Sequence, residues 1–176
     1  MMDIVFPENN EKEFIEMAEK LGYSELCFVY PKPKKIEPAA KIKLVSGIVC
    51  TTKIEKTDVV LLKSNNRNMV KKKPYAVFGI EGSKDSLHKK DSGLDSVVCR
   101  EMSEFGVAYL ISFSEILNSD DREGLLGRIM QNLVLCKKYK VKVMIASMAK
   151  SPFEMRNPKD LRALATVLGA DMGSNF

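Results

Sequence analysis

Seven short apolar runs, separated by stretches of helical periodicity, constrain this chain more than any other feature. They occupy residues 3–6, 26–30, 44–49, 58–62, 75–80, 107–111 and 141–146. Asp58-Val59-Val60-Leu61-Leu62 and Tyr75-Ala76-Val77-Phe78-Gly79-Ile80 are largely continuous rather than alternating. Continuous apolarity belongs to strands buried on both faces, as in parallel sheets covered by helices. Between the runs, Asn10 with Glu13 forms a capping-box pattern ahead of Phe14, Met17, Ala18 and Leu21, and Gly22 stops that helix. Asp91 or Ser92 is placed to cap a helix carrying Leu94, Val97, Val98 and Met102, released at Gly106. The longest periodic stretch, Asp121 to Tyr139, stacks Leu125, Leu126, Ile129, Met130, Leu133 and Val134 and leaves Arg122, Arg128 and Asn132 to other faces. Asn157-Pro158 opens a last helix that Gly169 ends, while 31–42 and Ser64–Lys73 read as connections.

Strand-helix alternation of this kind predicts an α/β fold with parallel strands and surrounding helices, either an open doubly wound sheet or a closed barrel. A TIM-barrel-like closure is expected over a single domain spanning 1–176. A full eight-stranded barrel takes roughly 200 residues or more, and seven residues remain after Gly169, so the barrel is expected to be compact or incomplete, with about seven strands. Apolar residues at 45% and charged residues at 29% fit a globular chain, and no apolar run reaches the ~20 residues of a membrane span. The first residues, MMDIVFPENNEKEF, hold acids where a secretory signal holds lysines, so a cytoplasmic location is expected. Cys27, Cys50, Cys99 and Cys136 are scattered in apolar settings and read as reduced core thiols.

The net charge of +5 is unevenly spread: residues 1–30 hold two lysines against seven acids, and residues 31–73 hold twelve Lys and Arg against three. Such a basic block attracts phosphate backbones, or else forms a solvated lysine-rich surface. Chemistry-bearing clusters are scarce. Metal hydrolases on barrels use several histidines and carboxylates at strand ends, and here His88 is the sole histidine. Acids near predicted strand ends are few: Glu81, Asp85 and Glu115. No nucleophile elbow, phosphate loop or dinucleotide fingerprint is present. Asp120-Asp121 is explained as helix N-terminal charge. What remains at the strand-helix junctions is Asp91-Ser92-Gly93, Arg128 with Asn132, Ser147 and Arg156, groups that grip phosphates or lock structure through caps and buried hydrogen bonds.

Three strings share one order: Asp91-Ser92-Gly93-Leu94-Asp95-Ser96-Val97-Val98-Cys99-Arg100, then Ile111-Ser112-Phe113-Ser114, then Leu126-Gly127-Arg128-Ile129-Met130-Gln131-Asn132. With Cys136-Lys137-Lys138-Tyr139-Lys140-Val141, Ala146-Ser147-Met148-Ala149 and Glu154-Met155-Arg156-Asn157-Pro158-Lys159-Asp160-Leu161, the chain resembles the archaeal and eukaryotic ribonuclease P protein component 3 family. The resemblance is specific over residues 75–169 and loose before them. It implies a barrel akin to the polymerase-and-histidinol-phosphatase superfamily without that superfamily's metal ligands. It also implies a subunit of the ribonucleoprotein that removes 5′ leaders from precursor tRNA. In that family the RNA carries the active site, with Mg2+ expected on the RNA and no cofactor in the protein. The implied partners are ribonuclease P RNA and protein component 2, with precursor tRNA met indirectly, and no membrane. Carried onto this chain, the family's basic positions are Arg100, Arg128 and Arg156, with Lys150 close by. Arg67 in the basic block and Lys89-Lys90 beside His88 complete the RNA-binding set, and no residue is assigned to catalysis or metal. The chain is shorter than typical members, and Asp95 stands where many have asparagine. The competing expectations are a self-sufficient metal-dependent phosphoesterase on the same barrel and a scaffold that binds protein alone.

Overall fold

The computed structural model describes residues 1–36, 38, 41–54, 57–81 and 92–171. Seven strands are β1 (Met2–Val5), β2 (Glu25–Tyr30), β3 (Lys43–Cys50), β4 (Val59–Leu62), β5 (Ala76–Val77), β6 (Ala108–Ser112) and β7 (Val143–Ala146). All neighbours pair in parallel, and the sheet order follows the chain order from β1 to β7. The helices are α1 (Glu11–Leu21), α2 (Arg67–Val70), α3 (Ser96–Phe105), α4 (Phe113–Leu117), α5 (Arg122–Tyr139) and α6 (Pro158–Val167), with a 3-10 turn at Pro152–Glu154. A sheet in sequential parallel order curls until its ends meet, because each strand twists in the same sense.

The ends do meet, and no eighth strand is needed among the described residues. Val5 of β1 bridges Ala149 just beyond β7, and the Phe6 N–H donates to the Ala149 carbonyl at 2.8 Å. Beneath this seam the fully buried Asp3 carboxylate accepts from the Ser147 N–H at 2.7 Å, the Ser147 hydroxyl at 2.6 Å and the Ile4 N–H at 2.9 Å. Between the two pinned residues, the buried Met148 takes a left-handed conformation at φ 52°. An L side chain there is strained, and the contacts on both sides of it hold it in place. The barrel is therefore nearly closed on seven strands.

The period-2 pattern of each strand divides the core into an inside and an outside. Ile4, Cys27, Val29, Val59, Leu61, Ala108, Leu110, Met144 and Ala146 fill the barrel interior. Their sequence neighbours Leu62, Tyr109, Ile111, Val143 and Ile145 point outward to α3, α5 and α6, and Val5, Leu26 and Phe28 meet α1. Gly47 is required inside, since a Cβ there would stand 2.7 Å from Cys27 Sγ. On the wall of β3 and β4, coil carrying Ile54 packs on Ile48, Cys50 and Val60. All four cysteines are buried and free, as expected from the sequence.

Several local expectations change. Asn10 precedes α1 but its side chain accepts from the Glu8 N–H, so the capping box does not form. Helix α3 starts three residues later than a Ser92 cap predicts: Gly93 at φ 92° lies so close to Ile80 that a Cβ would meet that carbonyl at 2.4 Å, and the cap is Asp95, accepting from Val97 and Val98 N–H at 2.8 and 2.7 Å. Strand β5 shrinks to two residues because the backbone leaves the ladder at Gly79, φ 59°. Asn132 is fully buried, as its reading as a buried hydrogen-bonding group expects, whereas Met130 and Val134, stacked on the apolar side in the sequence, are exposed. Helices α2 and α4 were not anticipated. The Gly22, Gly106 and Gly169 stops and the opening of α6 at Asn157 are where the sequence puts them, and Asp121, expected as charge at the start of α5, caps that helix.

Candidate nucleic-acid interface

The C-terminal ends of parallel barrel strands open onto one face, where loops rather than strands decide the chemistry. Here that face holds a cavity of ≈ 1330 Å³. Phe6 follows β1, Lys63 follows β4, Phe78 and Gly79 follow β5, Ser114 and Glu115 follow β6, and Met148 and Lys150 follow β7; Asp121 and Arg128 reach in from α5. Lys63 pairs with Glu115 at 3.4 Å, and a Cβ on Gly79 would meet that carboxylate at 2.8 Å. The Arg128 guanidinium donates to the Glu81 carbonyl at 3.2 Å and stands 3.8 Å from Asp121. Lys150 is exposed, with no acid within ion-pair distance among the described residues.

Arg156 stands beside this rim. Its guanidinium donates to the Phe153 and Met155 carbonyls at 3.0 and 2.9 Å and lies 5.3 Å from the ring of Phe113, between two serines that line the cavity. Neutral carbonyls and a ring face hold an arginine in place without cancelling its charge. The other two described arginines of the predicted set lie on the helical flank. Arg67, on α2, donates Nη2 and Nε to Glu101 Oε1 of α3 at 2.6 and 3.0 Å, and Lys71 reaches the same oxygen at 3.5 Å. Arg67 first, and Lys71 after it, hold the Glu101 carboxyl below its usual range. Arg100 lies 5.5 Å from the Tyr139 ring of α5 and carries no ion pair among the described residues. The structure thus gathers Arg128, Lys150 and Arg156 at the barrel mouth and sets Arg67 and Arg100 on the flank. His88, Lys89, Lys90, Asp85 and Asp91 lie outside the described residues.

Glu81, an acid flagged at a strand end, is tied into structure. The Tyr109 hydroxyl donates to its Oε1, and Asn132 Nδ2 stands 3.4 Å from the same oxygen while donating to the Ser92 carbonyl at 2.8 Å. Burial pushes the Glu81 carboxyl up despite these donors. This network joins the segment after β5, β6, α5 and the segment before α3; Asn132 locks it through its side-chain amide, whereas Ser92 enters only through its backbone carbonyl, its buried hydroxyl having no hydrogen-bond partner among the described residues. Among the described residues no three His, Cys, Asp or Glu side chains gather as a metal-binding group. No described helix is long and apolar enough to cross a membrane. The Asp3–Ser147 seam was missed in the sequence reading. Its signal was an acid at the head of a buried strand and a serine at the end of the last one.

Residues 80–174 match the family described as RNase P subunit p30. Ribonuclease P protein component 3 of Methanocaldococcus jannaschii is 30% identical over 157 residues, 79% of this chain and 66% of that protein. The Methanosarcina barkeri protein of the same name is 26% identical over 185 residues, covering 93% of this chain and 77% of that one. The chain therefore spans just under two thirds of the first relative's length. Among solved structures, a chain in the cryo-EM structure of archaeal Ribonuclease P with mature tRNA superposes with a TM-score of 0.77 at 25% identity, over 97% of this chain and 83% of that one. The histidinol phosphate phosphatase of Lactococcus lactis shares the fold, with a TM-score of 0.59 at 9% identity over 96% of this chain and 94% of that one.

Proposed function

Because the chain belongs to the RNase P subunit p30 family, we propose that it is a protein subunit of ribonuclease P, holding RNA while the RNA removes the 5′ leader of precursor tRNA. The observation that carries this reading is its likeness, along nearly its whole length, to a chain of an archaeal Ribonuclease P structure. The interface is the mouth group Arg128, Lys150 and Arg156, joined by Arg67 and Arg100 on the flank and by Lys89 and Lys90. Arginines fixed by carbonyls and rings offer preset forks to phosphate oxygens, and each phosphate neutralised releases counterions. In this reading protein component 2 is the partner subunit, precursor tRNA is met indirectly, Mg2+ sits on the RNA, no residue of the chain is catalytic, and the complex works in the cytoplasm.

Reconstitution tests the proposal. The chain alone, supplied with Mg2+, Mn2+ or Zn2+, should leave phosphoesters intact. It should raise precursor-tRNA cleavage when combined with ribonuclease P RNA and the partner proteins. Robust metal-dependent hydrolysis by the lone chain would overturn the reading in favour of a phosphoesterase. Unchanged cleavage and salt dependence after Arg100, Arg128 and Arg156 are replaced by alanine would favour a scaffold that binds protein alone.

A further inference from the structure

The 3-10 turn at Pro152–Glu154 is tied to the barrel on every side but one. Pro152 and Met155 are buried, Met155 in one cluster with Val5 and Phe14. The Glu154 carboxylate accepts from the Lys150 N–H at 2.9 Å, and the Glu154 and Met155 N–H groups donate back to the Ser151 and Pro152 carbonyls at 3.0 and 3.2 Å. Beyond the turn, the Tyr23 hydroxyl donates to the Arg156 carbonyl at 2.7 Å. From this fixed backbone Phe153 stands 81% exposed. Among the described residues the one other exposed aromatic is Tyr75, at 37%, which precedes β5 at the opposite end of the barrel. A single exposed apolar side chain needs no explanation by itself. The surroundings of this one point to a ligand.

Lys150 and Lys159 are exposed on either side of the turn, neither in an ion pair among the described residues, and Arg156 Nη1 donates to the Phe153 carbonyl itself at 3.0 Å. Glu154, bound to a backbone N–H, and Asp160, in the first turn of α6, leave this patch net positive. A ring set among lysines is a poor centre for a protein interface, whose buried core is depleted of charged residues. It suits unpaired nucleic acid, because every base has a face that stacks on an aromatic ring while neighbouring cations take the phosphates. A duplex has no use for such a ring, since its bases are already stacked on one another. We infer that Phe153 is a stacking platform for one unpaired base of ribonuclease P RNA, with Arg156 and Lys150 on the flanking phosphates. The inference rests on the proposed role of the chain as an RNA-holding subunit, and it adds what the RNA presents at this point: a loop, bulge or end rather than a helix.

The chain contains no tryptophan, so Phe153→Trp places a single reporter at the site. In a complex reconstituted from ribonuclease P RNA and the partner proteins, its emission is read against the same complex carrying the parent chain. That emission should be quenched when the RNA is added, before any precursor tRNA. Phe153→Ala should lower affinity for the RNA by about tenfold, with an unchanged melting temperature. The slope of log affinity against log salt should stay as in the parent, since no phosphate contact is removed. Phe153→Leu, apolar but without a ring face, should lose as much as alanine, whereas Phe153→Trp should bind at least as tightly as the parent. An unquenched tryptophan, an alanine variant of parental affinity, or a leucine variant that binds like the parent overturns the inference. So does quenching that waits for precursor tRNA. Emission that changes with the partner proteins alone, and no further with RNA, also overturns it and makes Phe153 a protein contact. In each of these cases salt-sensitive RNA binding by the parent chain leaves the subunit reading standing, while a parent chain that binds no RNA removes both.

Discussion

Asp3 shows how much one side chain settles. An ionised carboxylate taken wholly out of water is costly, and burial pushes the Asp3 carboxyl up to about 6 even though Ser147 and Ile4 supply hydrogen bonds that favour the charged form. Its ordinary value is 3.8, so between the two values the folded state binds the proton that the unfolded state has released. The stabilisation is therefore complete below the unfolded value and is lost as pH rises through about 6. The shift corresponds to about 3 kcal/mol, an order-of-magnitude figure. Asp3→Asn keeps the shape and an acceptor for the Ser147 N–H but has no charge to lose. Relative to the parent, it should gain roughly that amount of stability between pH 4 and pH 7.5 in urea titrations. Parallel pH profiles for the two proteins would show that Asp3 does not carry the dependence. Glu81 is also pushed up by burial, but its Tyr109 and Asn132 donors remain in both proteins, so its contribution cancels in the comparison.

At the level of elements, the cap of α3 connects chemistry to family pattern. Asp95 is exposed, and its Oδ1 takes the two N–H groups at the helix start. Asparagine offers the same oxygen, so Asp95→Asn should change stability by a few tenths of a kcal/mol, whereas Asp95→Ala should lower it by about 1 kcal/mol in chemical denaturation. Equal losses for both would mean that charge rather than capping matters there. The same helix marks the limit of what was readable. Its apolar spacing and its stop at Gly106 were legible, because periodicity and a left-handed terminus are local properties. Its start was not, because Gly93 takes φ 92° against the Ile80 carbonyl that follows β5, a contact no local pattern shows. The seven strands were legible as apolar runs, and β5 was overextended because Gly79 leaves the ladder to make room for Glu115. On α5 more apolar residues recur than the core side takes up, so periodicity alone did not decide that Met130 and Val134 are the exposed ones. Helices α2 and α4 are too short to show a period.

For the molecule as a whole, a basic residue contributes to long-range attraction only to the extent that its own chain leaves its charge uncancelled. That criterion divides the candidate interface in a way the sequence could not, since ion pairing depends on which helices the barrel brings side by side. Arg67 is bonded to a largely buried Glu101, while Lys150, exposed at the mouth, forms no ion pair among the described residues, Glu154 accepting only from its backbone N–H at 2.9 Å. If the mouth holds RNA, Lys150→Ala should weaken affinity for ribonuclease P RNA and reduce the slope of log affinity against log salt by about 1, with melting unchanged. Arg67→Ala should behave differently. It strips Glu101 of its closest partner, leaving the carboxylate to Lys71 alone, so the variant should melt lower, while its salt slope should change less than that of Lys150→Ala because the pair had already neutralised much of the charge. Filter-binding titrations across a salt series, run beside thermal melts of the same two variants, separate the contributions. A slope unaffected by Lys150→Ala would remove the barrel mouth from the interface, and a larger slope change for Arg67→Ala would move the interface to the flank of α2 and α3.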